Sequence, residues 1–359
     1  MSGPTTADVP PAASSTTPLP ALTDLLPPWP GAQLAVRGGE VFVRRTPWTG
    51  PVDGVEGPRE RALYVHGLGG ASTNWTDLAA LLAVRFDGWA VDLPGFGRSQ
   101  PPRRARYSIQ GHARAVVDVL EHVRDEPGEG AGRPVHLVGN SLGGLVSVLV
   151  ASRRPDLVAS LTLISPAMPV YRVPTAFSRA LLLLLVPGVP SLASRRIGAV
   201  SPEASVRAVV RMCFGDPSRV PPERLEQAVL EMRERAELPW ADRALVGSMR
   251  GLITSYLKVG AANAWRAARS LPVPTLVIWG DRDRLVDPAL APRLAAVLPD
   301  SRLLVMEGVG HVAMLEAPEA SARAVLGMVE SLEDPTRAAG VRTDATGQGE
   351  RQVAEATCR

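Results

Sequence analysis

Two cysteines are all that the 359 residues contain, Cys213 in the middle and Cys358 near the end. A disulfide framework is excluded, and nothing stands at metal-ligand spacing, so no metal and no cofactor is expected. Lysine is scarcer still, with Lys258 alone. Abundant arginine is offset by Asp and Glu to a formal net charge of +3, and aromatics make up only 4%. No basic block with interleaved aromatics occurs, which argues against a nucleic-acid partner. Long apolar runs are missing too. Leu181-Leu182-Leu183-Leu184-Leu185-Val186 is too short to span a membrane, so no stable insertion is expected. Residues 1–30 lack a basic start followed by an apolar core, which leaves a cytoplasmic location as the expectation.

The hydrophobic share of 45% is ample for a core. Gln33–Arg37 and Glu40–Arg45 read as a hairpin turning at Gly38-Gly39. Short β-branched runs follow at Ala62–His66, Trp89–Leu93, Val135–Gly139, Leu161–Ser165, Thr275–Trp279 and Arg302–Met306. Helical stretches such as Ser108–Arg124 and Leu142–Arg153 separate them, an alternation that defines an α/β fold with a doubly wound, mostly parallel sheet. Between Ser165 and Leu271 the alternation stops and only helical patterns remain: Thr175–Val186, Ser191–Ala199, Ala204–Phe214, Pro222–Glu237 and Asp242–Ala268. Residues 1–30, rich in Pro, Thr, Ser and Ala, read as disordered or loosely draped. Residues 335–359 read as a disordered tail.

The most informative segment runs from Val135 to Gly144. An apolar strand turns through Gly139-Asn140-Ser141-Leu142-Gly143 directly into an apolar helix, a G-x-S-x-G pattern in strand–turn–helix context. Small residues two positions either side of the serine let strand and helix approach closely. The turn lifts the Ser141 hydroxyl toward solvent and aims the first helix amides at one point, where negative charge is stabilised. A serine hydroxyl is a weak nucleophile and needs a base that is itself held by a third group. The strand Thr275–Trp279 leads into Gly280-Asp281-Arg282-Asp283, and the strand Arg302–Met306 into Glu307-Gly308-Val309-Gly310-His311. Asp283 and His311 therefore lie on loops after strands, as Ser141 does, and in a parallel sheet such loops gather at the carboxyl edge.

These pieces, with His66-Gly67-Leu68-Gly69-Gly70 and Asp92-Leu93-Pro94-Gly95-Phe96-Gly97-Arg98-Ser99, resemble the α/β-hydrolase superfamily, serine branch, over about residues 33–333. The resemblance implies Ser141 as nucleophile, His311 as general base and then acid, and Asp283 as the group that orients the imidazolium. It implies an oxyanion hole from the backbone N–H groups of Leu68 and Leu142. It divides the chain into a core at 31–166 and 271–334 and an inserted all-helical cap at 167–270. Beneath the cap, Met168, Phe177 and Val312 are expected to line the pocket together with Leu68 and Leu142. Leu181–Val186 is read as a helix packed between cap and core, with an acyl pocket or a lipid-facing surface as the other reading. Asp281 and Asp287 read as turn residues, His66 as a brace for its loop, and His112, His122 and His136 as structural. Asp92 reads as scaffold shaping the oxyanion loop, and Glu316 and Pro318 as the opening of the last helix.

The implied activity is acyl-enzyme hydrolysis of a small hydrophobic carboxylic ester, esterase- or lipase-like. Three alternatives share the fold. Hydrolases of carbon–carbon bonds in ring-fission products share Gly139-Asn140-Ser141, but usually carry Trp after the histidine, where Val312 stands here. Haloperoxidase-like perhydrolases share the triad. Ligand-binding receptors share the fold with slow or vestigial turnover. Epoxide hydrolases and haloalkane dehalogenases use Asp at the elbow and are disfavoured by Ser141.

Overall fold

A computed structural model describes residues 9–22, 27–46, 48–50, 59–102, 107–170, 186, 189, 192, 196 and 200–333. Eight strands form one sheet: β1 (Gly31–Val36), β2 (Gly39–Thr46), β3 (Glu60–Val65), β4 (Phe86–Val91), β5 (Val135–Asn140), β6 (Val158–Ile164), β7 (Thr275–Gly280) and β8 (Ser301–Met306). Their order is β1-β2-β4-β3-β5-β6-β7-β8. β2 is antiparallel to both of its neighbours, β1 and β4, and every other pairing is parallel. The hairpin expected at Gly38-Gly39 is therefore one edge of a mixed sheet.

The period-2 alternation divides the sheet's residues between two cores. Leu63 and Val65 of β3, Leu137 of β5, Leu163 of β6 and Trp279 of β7 face one side. There they pack on α2 (Ile109–Asp125), α3 (Leu142–Arg153), α7 (Ala264–Arg269) and α8 (Leu290–Val297). Ala62, Tyr64, Val138, Ile164 and Ile278 face the other side and pack on α1 (Thr76–Leu82) and α10 (Pro318–Glu333). Both faces are covered, which is why these strands read as continuous apolar runs. Trp75, Trp279, Tyr64 and Phe86 are all fully buried. Burial of a side chain such as Phe86 contributes about 1.5–3 kcal/mol relative to exposure.

The insertion between β6 and β7 is helical where it is described: α4 (Pro202–Cys213), α5 (Pro222–Ala236), α6 (Ala241–Tyr256) and then α7. The single helical stretch expected over Asp242–Ala268 is broken at Leu257–Asn263. Gly260 takes φ +66°, and the Asn263 side chain accepts from Arg266 N at 3.0 Å, capping a new helix. Thr175–Val186 and Ser191–Ala199 fall almost wholly outside the described residues.

Within the segment expected to lie loose, residues 9–17 are seated against the far edge of the sheet. Pro11 bridges Leu303, Leu303 N donates to Pro10 O at 3.1 Å, and Ala12 N donates to Leu303 O at 3.0 Å. Ser15 and Thr17 hydroxyls both donate to Glu330 Oε1, at 2.5 and 2.8 Å. Poverty in apolar side chains is no bar here, because an edge strand offers unpaired main-chain groups to any extended segment.

Candidate active site

Ser141 stands between the end of β5 and the start of α3 with φ 53° and ψ −118°. A non-glycine residue there is strained, at a cost of order 1–3 kcal/mol, and the neighbours hold it in place. Its amide donates to Ile164 O at 3.0 Å, and its carbonyl accepts from Ala167 N at 2.8 Å and Leu145 N at 3.1 Å. The flanking glycines are required by space. A Cβ on Gly139 would lie 2.6 Å from Ser147 Oγ, and one on Gly143 only 2.2 Å from the Val65 carbonyl oxygen. Ser141 remains partly exposed, and among the described residues its hydroxyl has no hydrogen-bond partner.

Asp283 and His311 meet directly. His311 Nδ1 and Asp283 Oδ2 are 2.8 Å apart, with both side chains almost fully buried. The other oxygen, Oδ1, accepts Leu285 N at 2.8 Å and Val286 N at 3.0 Å, which fixes the carboxylate's orientation. An ionised carboxylate only accepts, so Nδ1 carries the proton and Nε2 keeps the ring's lone pair. Main-chain bonds flank the ring: His311 N donates to Cys213 O at 2.6 Å, and His311 O accepts from Asn140 Nδ2 at 3.1 Å. Asn140 is the residue before Ser141 and also donates to Ile164 O at 3.0 Å, so it joins the two loops. Sequence reasoning gave Asn140 no such part, because a partner 171 residues away leaves no local signal.

The loop after β3 closes the third side. A Cβ on Gly67 would lie 3.0 Å from Ser141 Cβ, so the loop carrying Leu68 touches the Ser141 turn. Neither Leu68 N nor Leu142 N donates to an acceptor among the described residues. His66 braces this loop as expected. It is fully buried, accepts Leu93 N at Nε2 (2.9 Å) and therefore donates from Nδ1 to Gly67 O (2.7 Å). Burial lowers its pKa and outweighs the nearby Asp92 charge. Asp92 accepts Ser72 N at 2.6 Å and Arg98 N at 2.8 Å, tying down the ends of both neighbouring loops. Asp287 accepts Ala289 N within its own turn, whereas Asp281 accepts Gly308 N, 27 residues on, and ties the loop after β7 to the loop after β8.

Met168 and Val312 are buried beside these loops and Leu68 is partly exposed; Phe177 lies outside the described residues. Glu316 departs from expectation. Pro318 does open α10, but Glu316 ends a short helix, α9 (Ala313–Glu316), and its side chain turns back to Gly310 N at 2.8 Å. A groove of about 450 Å³ lined by Val9, Pro10, Arg269, Leu298 and Ser301 lies at the start of β8, on the opposite edge of the sheet from Ser141. Among the described residues no cluster of His, Cys, Asp and Glu has the makings of a metal site. None of their helices is long and apolar enough to cross a membrane.

Residues 63–318 match the family model of the alpha/beta hydrolase fold, and the chain belongs to that family. It is 25% identical over 282 residues to a monoacylglycerol lipase (abhd6-B) of Xenopus laevis, covering 78% of each chain. It is 26% identical over 270 residues to Lipase 1 of Psychrobacter immobilis, covering 73% of this chain and 74% of that one. Among solved structures, a bacterial membrane phospholipase A superimposes with a TM-score of 0.63 at 25% identity, over 85% of this chain and 87% of that one.

Proposed function

We propose that this protein is a serine hydrolase that cleaves a hydrophobic carboxylic ester through an acyl-enzyme. The buried pairing of His311 with Asp283 at 2.8 Å, on loops that meet the strained Ser141 turn, carries this reading. Similarity to a monoacylglycerol lipase, a bacterial lipase and a phospholipase A, all named for ester substrates, supports it.

In this mechanism His311 Nε2 takes the Ser141 proton as Oγ attacks the acyl carbon. The Oγ–His bond is commonly loose in a free enzyme and tightens in the complex. The developing oxyanion accepts from Leu68 N and Leu142 N, two amides with no other acceptor among the described residues. Such donors act where charge develops, each worth about 2.7–4 kcal/mol. Asp283 stabilises the imidazolium. The C–O bond to the alcohol breaks, and the alcohol leaves with the proton from His311. Water then gives a proton to His311 and attacks the acyl group, releasing the acid and restoring Ser141. The helical cap over this edge excludes other water from the intermediate.

The test is release of p-nitrophenol from esters of graded acyl length, wild type beside Ser141→Ala. Loss of the nucleophile lowers kcat on the order of a millionfold. The chain-length optimum sizes the acyl pocket. Wild-type turnover no faster than that of the Ser141→Ala variant on every ester would refute the proposal.

A further inference from the structure

We propose that Glu316 is a positioning residue for this reaction, locking the His311 loop to the cap segment that follows α4. The inference rests on the reading of His311 as the general base.

The Glu316 side chain is wholly buried, and both of its oxygens are used. Oε2 accepts Gly310 N at 2.8 Å and Gly215 N at 2.9 Å, and Oε1 accepts Asp216 N at 2.9 Å. The Arg219 guanidinium stands 3.7 Å from Oε1. A carboxylate this deep is tolerated only when its oxygens are hydrogen-bonded, and here three backbone amides meet that need. None of the three belongs to Glu316's own helix. One immediately precedes His311, and the other two lie on the cap, 101 and 100 residues away.

The two segments so joined touch through main chain. A Cβ on Gly310 would lie 2.3 Å from Cys213 O, and one on Gly215 would lie 2.5 Å from Gly308 O. No side chain of either glycine is present to hold the other strand of this contact. Three hydrogen bonds do so instead: His311 N to Cys213 O at 2.6 Å, and Gly310 N and Gly215 N, one from each side, to Glu316 Oε2. The His311 peptide is therefore fixed before and behind, by Glu316 through Gly310 and by Asn140 through the His311 carbonyl. Asp283 sets the ring's rotation and tautomer, while the ring's distance from the Ser141 turn is set by this main-chain frame. On this side the cap is continuous with the catalytic loop.

Glu316→Gln is nearly isosteric. It keeps one acceptor oxygen and turns an NH2 toward amides that are themselves donors, so the frame loosens without a cavity. A shift of about 1 Å at a catalytic group can cost about a hundredfold, and that fall in kcat is expected, with KM near its wild-type value. Rates are measured on p-nitrophenyl butyrate per serine titrated with a fluorophosphonate, below the melting temperature of each variant. Glu316→Ala is expected to be slower still. Unchanged kcat per titrated site in Glu316→Gln, with only a lower melting temperature, would make Glu316 a plain fold-stabilising residue. A Ser141→Ala variant as active as wild type would instead remove the reading on which the inference stands. Hydrogen exchange in the wild type provides a readout free of variants. The amides of Gly310, Gly215 and Asp216 are expected to exchange slowly and together, and exchange at free-loop rates would overturn the inference.

Discussion

At Asp283 the two carboxylate oxygens have separate duties, and this division predicts what an amide would do. Oδ1 is claimed by Leu285 N and Val286 N, so an asparagine would direct its oxygen there and present NH2 to His311 Nδ1. The ring would then adopt the other tautomer and offer a proton, where a lone pair is needed, to Ser141. Asp283→Asn is accordingly expected to fold normally by circular dichroism and to lose about 10⁴-fold in kcat. A loss under tenfold would show that Asp283 does not set the tautomer. The placement of Ser141, Asp283 and His311 on loops after strands was legible in the sequence because each follows an apolar strand inside a short local motif. Asn140 and Glu316 were not. Their side chains serve main-chain groups far along the chain, and an isolated Glu five residues past a histidine carries no mark of where it points.

At the scale of elements, boundaries followed local chemistry. Ser108 caps α2 through Gly111 N and Ser201 caps α4 through Ala204 N. The break at Leu257–Asn263 hid behind good helical spacing, since one glycine with a capping asparagine is enough to end one helix and begin another. The cap's α6 meets the core's α2 at His112, where Nε2 and Ser248 Oγ are 3.1 Å apart and the ring is buried. Burial pushes His112 down from its ordinary 6.5 to about 3, with His66 adding to the effect. The unfolded chain therefore binds the extra proton over that window. Stability is fully present above pH 6.5 and falls as pH drops toward 3, at up to about 1.4 kcal/mol per pH unit for this one group. Urea unfolding at pH 7, 6, 5 and 4 measures the slope. His112→Gln, which removes the titration, is expected to flatten it; an identical slope in the variant would contradict the assignment.

In the whole molecule, three loops from distant parts of the chain converge on one edge of a parallel sheet, with helices inserted above them. The order of strands and helices in the sequence foretold this convergence, because a strand followed by a helix must turn at the carboxyl edge. The strand order β1-β2-β4-β3-β5-β6-β7-β8 was not foretold, nor was the seating of residues 9–17 along β8. Both depend on pairing between segments far apart in the chain, which the local pattern of any one segment does not identify. Whether the Ser141 hydroxyl is the acyl acceptor is decided by intact-mass analysis after incubation with a fluorophosphonate, followed by peptide mapping. One added group per chain is expected, on the peptide holding Ser141, and none in Ser141→Ala. No adduct on the wild type, or an equal adduct on Ser141→Ala, would contradict it.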